Sequence, residues 1–541
     1  MRLYPTAASV HLALCGVAVA CAGLLAGSGA VVGWGVAVVL GVAVARGATL
    51  VSVARVRAAG FEMVWRTAKR RVRVARGGEV TLSAELRNRD SLAARFVALR
   101  PVASGLLEVK VEPAEGEVPA SGSLRVKLRV RAPRVGRHGV FGLALEVRGV
   151  PGLFEVPLTF ANPLGVEVLP APLFVSLRSP LGGRSRRGLD GLRSGRGRGE
   201  GDDLRELRDH RPGDPFKRIA WRASARRGKL LVREYEQEQR DTAWVILDGS
   251  VELWAGAPGT APLDLLVDEA AALVSQHLRL GDRVGLAVVA SRVLEWVPPA
   301  RGPAHGARLL EALAHGASTY DRDRSDLDEQ EVALRVLEHL RPLDARGLSD
   351  VRRSDLERLA QRATALTSKA PFAAPLPRGG SASERALRHY LYAFGVESPP
   401  RSEPERAAAD AALVQALGRV AAERPRPTLV YVASPTPELV SSPLAAAIRK
   451  LARAGVTLRW VPAHVEPSLR AVDDGRPEAA ALVRAMATRA RHERERGERA
   501  LSRLGVRTQA ARARQGPPKA GAGATSLALG PGARGGGAGE R

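Results

Sequence analysis

Residues 204–238, LRELRDHRPGDPFKRIAWRASARRGKLLVREYEQE, together with residues 242–248, TAWVILD, decide how the chain is read. The first piece sets a Pro-Gly-Asp turn, one Trp and a dense run of Arg against a closing acidic cluster. The second is a strand of the fully buried type, and it ends in Asp248-Gly249-Ser250. A charged segment delivered straight into such a strand marks a built junction, unlike a generic surface loop.

Downstream, strands and helices alternate. Residues 242–247, 283–289, 294–297, 428–433 and 457–461 read as strands; 263–280, 304–314, 328–340 and 439–454 read as helices. This rhythm predicts a mostly parallel sheet covered on both faces, spanning 241–470, with ligands beyond the carboxyl ends of its strands. Asp248, Ser250 and Ser434 fall there. Helical, Ala/Arg-rich sequence with a Pro-rich patch interrupts the rhythm at 343–427 and reads as an insertion. Residues 471–504 form a charged, solvated helix, and the Gly/Ala/Pro/Arg tail 505–541 is expected to be disordered.

Upstream, residues 58–175 carry short alternating runs such as SLRVKLRVR, separated by Gly and Pro, which predict an antiparallel β-sandwich. Residues 176–203 are a Gly/Arg-rich linker, and 204–240 hold the charged segment. Residues 10–27 and 31–45 are apolar and uncharged, split by Ser28-Gly29. They read as a transmembrane helical hairpin within 1–57. Arg2 precedes it, and Arg46, Arg55, Arg57, Arg66, Lys69, Arg70 and Arg71 follow, which places the soluble part in the cytoplasm. A cleaved signal peptide, or one long helix with an outside carboxyl terminus, is the alternative. The expected fold class is a membrane-anchored multidomain protein: hairpin, β-sandwich, then an α/β domain with a helical insertion.

The net charge of +26, from 82 Lys and Arg, attracts anionic lipid, nucleic acid or acidic proteins. Nucleic acid is the poor candidate, since aromatic residues are not interleaved with the basic ones and no recognition module is present. Arg- and Ala-rich composition also follows from a GC-rich genome. Cys15 and Cys21 are the only cysteines and sit in the apolar amino terminus, which excludes a Cys-based zinc site downstream. No nucleophile elbow, phosphate loop, dinucleotide fingerprint or clustered His site is found, so catalysis is not expected.

Arg205, Arg208, Arg211-Pro212-Gly213-Asp214, Arg218-Ile219, Trp221, Ser224-Ala225-Arg226, Leu231, Val232-Arg233-Glu234 and Glu236 together resemble one bacterial family. It is the "domain of unknown function 58" family, membrane-anchored proteins with a von Willebrand factor A-like (Rossmann-like) domain. Asn162-Pro163-Leu164-Gly165 resembles that family's turn between the sandwich and the later domain. The resemblance runs over residues 8–320 and fades beyond them. It implies a metal-ion-dependent adhesion site in which Mg²⁺ takes oxygen ligands from Asp-x-Ser-x-Ser, a distant Thr and a distant Asp. Asp248 and Ser250 match. Glu252 stands at the second Ser, Thr319 takes the place of the Thr, and Ser434-Pro435 stands where the last Asp belongs. Either Glu252 supplies an oxygen and the site binds Mg²⁺ or Mn²⁺, or the site is degenerate and binds its partner without metal.

Two readings of the charged segment also stay open. Arg211, Asp214, Arg218, Trp221, Arg226, Arg233 and Glu234 form either an ion-paired brace between sandwich and α/β domain, anchored by Trp221, or a docking surface. The function expected is a non-enzymatic membrane scaffold docking a protein partner. The resemblance implies that this partner is a MoxR-type AAA+ ATPase, in protein assembly or activation at the bacterial inner membrane. An extracytoplasmic adhesion or envelope-assembly protein, or a binder of anionic polymers, is the alternative.

Overall fold

The run 243–247 is apolar throughout because its alternate side chains serve two different cores. The computed structural model describes residues 3–172, 198–211, 214, 216–236, 241–316, 324–343, 355–402, 406–437, 441–464 and 477–509. In it, Thr242–Asp248 is an inner strand of a six-stranded sheet. Val245 and Leu247 join Leu286, Val288 and Tyr431 on one face, beneath helices Pro262–Leu280 and Pro303–Gly316. Trp244 and Ile246 join Ala287, Val430 and Val432 on the other, beneath Arg406–Ala422 and Ser442–Arg453.

In chain order the strands are Thr242–Asp248, Arg283–Val289, Val293–Ala300, Leu429–Ser434, Thr457–Pro462 and Arg507–Thr508; in space they lie third, second, first, fourth, fifth, sixth. Neighbours are parallel except at the Val293–Ala300 edge. The order reverses between the first and fourth strands, which opens a crevice beyond their carboxyl ends at Asp248 and Ser434. Register also fixes a detail within the sheet: Trp244 lies opposite Gly285, where a Cβ would stand 2.7 Å from the indole. Trp244 in turn packs on Trp296 at 4.5 Å, and Arg419 caps Trp296 at 3.9 Å.

Upstream, a four-stranded and a six-stranded sheet share one core that includes Leu86, Leu128, Leu143 and Val156. Ser123–Arg131 shows the cause: Val126, Leu128 and Val130 are buried while Lys127, Arg129 and Arg131 face water. Asn162-Pro163-Leu164-Gly165 is not a turn between domains. It lies inside the long strand Phe154–Leu169, at a register shift between Ala161 and Leu164. The Trp65 indole donates to the Asn162 carbonyl there at 2.7 Å.

Helices Glu329–Leu343, Leu356–Thr367 and Ala382–Phe394 gather around their own core of Val336, Leu340, Leu359, Leu387 and Tyr390. Arg406–Ala422 packs on the sheet instead, through Leu413, Leu417 and Val420. The interruption expected at 343–427 therefore divides, and the bundle begins earlier, at Glu329.

Helices Ala7–Leu25 and Gly29–Gly60 are long and apolar enough to cross a membrane, and they suggest a membrane anchor. They pack closely at glycine: a Cβ on Gly35 would stand 2.4 Å from the Ala20 nitrogen. The second helix runs on past the apolar stretch, so that Val53 and Val56 enter the core of the two-sheet region.

Two boundaries move. Arg198–Asp209 is already a strand, so the linker expected at 176–203 ends earlier; residues 173–197 lie outside the described residues. The tail expected to be disordered from 505 starts with structure. Gly505 turns at φ 79°, Val506 is buried, and Arg507–Thr508 pairs with Arg459–Trp460. Two charged or polar residues carry no strand signal of their own; tertiary pairing makes the strand. Residues 510–541 lie outside the described residues.

His339 sits where the bundle meets the two-sheet region. Its ring contacts Phe141 at 4.4 Å and Phe394 at 5.3 Å, and its Nδ1 is 2.8 Å from the Tyr390 hydroxyl. Burial pushes its pKa down to about 3. An unfolded chain binds that proton near pH ~6.5 while the folded one does not. Stability is therefore full above that pH and is lost as pH falls toward the folded value. His339→Phe is expected to flatten the decline in melting temperature with acid; an unchanged slope would assign the acid sensitivity elsewhere.

Candidate functional site

Asp248 ends its strand at 2% exposure, so its charge needs compensation. Its Oδ1 accepts from the Ser250 nitrogen at 3.0 Å and the Ser250 hydroxyl at 2.6 Å. Its Oδ2 accepts from the Ser434 hydroxyl at 2.7 Å and from Arg406 Nη1 at 2.9 Å. Arg406, in the first turn of its helix, also donates through Nε and Nη2 to Asp410 Oδ1 at 2.9 and 2.6 Å. Burial pulls the Arg406 pKa down, but Asp248 and Asp410 outweigh it, and the value stands above that of an ordinary arginine. Next to this cluster, buried Arg324 donates to the Gly249 carbonyl at 2.7 Å.

Of the four residues expected to hold a metal, the structure brings Asp248 and Ser250 together. Glu252 lies in the short helix Val251–Trp254, and its two carboxylate oxygens are shielded without a hydrogen-bond partner among the described residues. Thr319 lies outside the described residues. A carboxylate offers about four lone-pair sites, and all four on Asp248 are engaged. With a guanidinium against Oδ2, the residues present do not fit a divalent ion. Among the described residues no group of three or more His, Cys, Asp or Glu is arranged to hold one.

Sequence reasoning missed Arg406, Asp410 and Arg324. Arg406 and Asp410 form an i,i+4 pair that reads like any solvated helix face; nothing local shows that the same guanidinium reaches Asp248.

The charged segment folds as a hairpin of Arg198–Asp209 and Leu231–Glu236, with helix Trp221–Arg227 between. Its small core is Ile219, Ala220, Leu231 and Val232. Asp214 accepts from the Arg211 nitrogen at 2.8 Å, and the Ser224 hydroxyl accepts from the Leu231 nitrogen at 2.8 Å. Arg226 is exposed; the side chains of Arg218, Arg233 and Glu234 lie outside the described residues. Trp221 does not act as an apolar anchor. It is 57% exposed and stacks on Phe216, itself 76% exposed, at 6.5 Å.

Other residues join the two-sheet region to the rest. Arg134 forms a buried ion pair with Asp264 of helix Pro262–Leu280 at 3.1 Å, and Arg76 pairs with Asp268 of the same helix. Arg137 lies over the rings of Phe372 and Tyr392 and donates to the Ala373 carbonyl at 2.6 Å. His138 pairs with Glu397. A cavity of about 290 Å³ opens between these groups, lined by Arg134, Arg137, Trp254, Arg335 and Tyr392.

Residues 206–368 match the family described as "Protein of unknown function DUF58". The DUF58 match holds the hairpin helix, Asp248 and Ser250, and stops short of Arg406, Asp410 and Ser434. Uncharacterised proteins of Mycobacterium bovis and Mycobacterium tuberculosis are 29% identical over 151 residues, 28% of this chain. The chain spans about half the length of these curated relatives, 46%. Among solved structures, a PapD-like domain of human CEP192 (TM-score 0.16, 13% identity) is covered over 85% of its chain and 20% of this one. WR4, an MSP family member of C. elegans (TM-score 0.14, 8% identity), is covered over 97% of its chain and 20% of this one. Likenesses this slight carry no weight.

Gly249 lets the strand end approach its neighbours. A Cβ there would stand 2.6 Å from Arg324 Nη2 and 3.1 Å from the Gly316 carbonyl. Arg324 is buried and held by its hydrogen bond to the Gly249 carbonyl, and the Gly316 carbonyl is backbone, so Gly249→Ala is expected to destabilise the protein by ~1–3 kcal/mol. Thermal unfolding measures this, and an unchanged midpoint would show that the loop yields.

Proposed function

We propose that the chain is a membrane-anchored, non-enzymatic docking protein whose α/β domain belongs to the von Willebrand factor A-like class. The strand order, with its antiparallel third strand, supports that class, as does the Asp-Gly-Ser turn at the end of the first strand. Ala7–Leu25 and Gly29–Gly60 form the anchor as a two-pass hairpin, and the basic residues after it hold the soluble part in the cytoplasm. The partner is a protein, a MoxR-type AAA+ ATPase by the family resemblance, and the task is assembly or activation of other proteins.

The observation that carries docking is the stacked pair Phe216–Trp221, exposed within the matched segment, with exposed Lys217, Arg222 and Arg226 next to it in sequence. A protein surface seldom leaves two large stacked aromatics open without a use for them, and Trp and Arg are the residues on which binding energy concentrates. The complementary partner offers an apolar pocket rimmed by acid. Because both rings are exposed, Phe216→Ala and Trp221→Ala are expected to leave the melting temperature unchanged. Each should weaken binding to the purified ATPase about tenfold or more. Equal affinity of wild type and both variants would remove the hairpin as the docking element.

Orientation has its own test. Alkaline phosphatase fused after Arg541 is expected to be inactive in a bacterial host, and activity there would place the soluble part outside.

A further inference from the structure

The crevice between the first and fourth strands contains a cation already. Arg406 sits in the first turn of Arg406–Ala422, an end of a helix that disfavours positive charge. Its partners explain why it is tolerated there. Asp248, buried at the end of the first strand, takes Nη1 at 2.9 Å; Asp410, one turn on, takes Nε and Nη2; and Nη2 lies 3.4 Å from the Ser434 hydroxyl. Two carboxylates from different elements converge on one guanidinium, and a hydroxyl completes the ring around it.

This arrangement has the connectivity of a metal site with the metal replaced. A divalent ion in such a crevice would neutralise the buried Asp248 and tie the ends of the first and fourth strands to a neighbouring loop. Arg406 does both. It cancels the charge of Asp248, and through Asp248 and Ser434 it ties the helix start to both strand ends. The oxygen set left for an ion is poor, since Ser434 offers a neutral hydroxyl that is already donating to Asp248. A guanidinium keeps its charge at any pH the protein meets and cannot diffuse away.

We propose that Arg406 is the resident cation of this crevice: a tethered guanidinium stands in place of a divalent ion and makes the site independent of metal. This goes beyond the docking reading and does not rest on it, because it concerns only the groups around Asp248.

Two measurements on the full chain in detergent micelles test it. The first is Mn²⁺ titration by calorimetry, with melting temperatures in millimolar Mg²⁺ and in EDTA. The expected result is no heat of binding and no shift; Mn²⁺ uptake by the wild type that is lost in Asp248→Asn would overturn the proposal. The second is a cycle of Asp248→Asn, Arg406→Met and the double variant. With Arg406 present, Asp248→Asn removes a paired charge and is expected to lower the melting temperature by several degrees. With Arg406→Met, the same change relieves an uncompensated buried carboxylate and should raise it, a reversal of sign that a merely structural role for either residue alone does not give. Equal effects of Asp248→Asn in both backgrounds would also overturn it. Should Arg406→Met alone not fold, recovery of folding in the double variant is the expected form of the same reversal, and the metal titration on wild type remains decisive by itself.

Discussion

A carboxylate buried at the end of a central strand sets the terms for the α/β region. Asp248 is shielded from water on all sides, and leaving it unpaired would cost several kcal/mol. Its four hydrogen bonds come from its own turn, from the fourth strand and from the helix that covers the far face. Satisfying that one group thus fixes how three elements meet. The same groups occupy the crevice where an open α/β sheet usually receives its ligand.

The three folded regions are held together by arginine. Arg76, Arg134 and Arg137 reach from the two-sheet region to carboxylates, carbonyls and aromatic rings on the α/β helices and the bundle. Arginine suits this work because its planar group can stack and donate at once, keeping its charge satisfied where water is excluded. Part of the large positive charge is thereby internal and structural. The hairpin that carries the exposed Phe216 and Trp221 takes no described part in this clasp.

What the sequence made legible follows from how local each signal is. The run TAWVILD reads as a buried strand because seven adjacent residues carry the pattern, and SLRVKLRVR reads as a half-buried one for the same reason. The metal ligands proposed by resemblance were placed by spacing alone, and spacing is blind to a competitor arriving from far along the chain. Arg406 is such a competitor, and 158 residues separate it from Asp248. Trp221 misled in the opposite way: a lone Trp amid Arg suggests an anchor, yet burial depends on what the hairpin packs against, which its own residues do not state. The division of 343–427 was hidden because helices of the bundle and of the sheet layer share one Ala- and Leu-rich stripe.

The short strand Arg507–Thr508 has a consequence for how the chain is made. It follows a helix of 27 residues and supplies the last partner of Thr457–Pro462. Until the ribosome has delivered residue 508, that strand presents a bare row of backbone donors and acceptors, the kind of border on which unfinished chains stick to one another. The two-residue strand then acts as a selvedge over Arg459 and Trp460, the middle of that border.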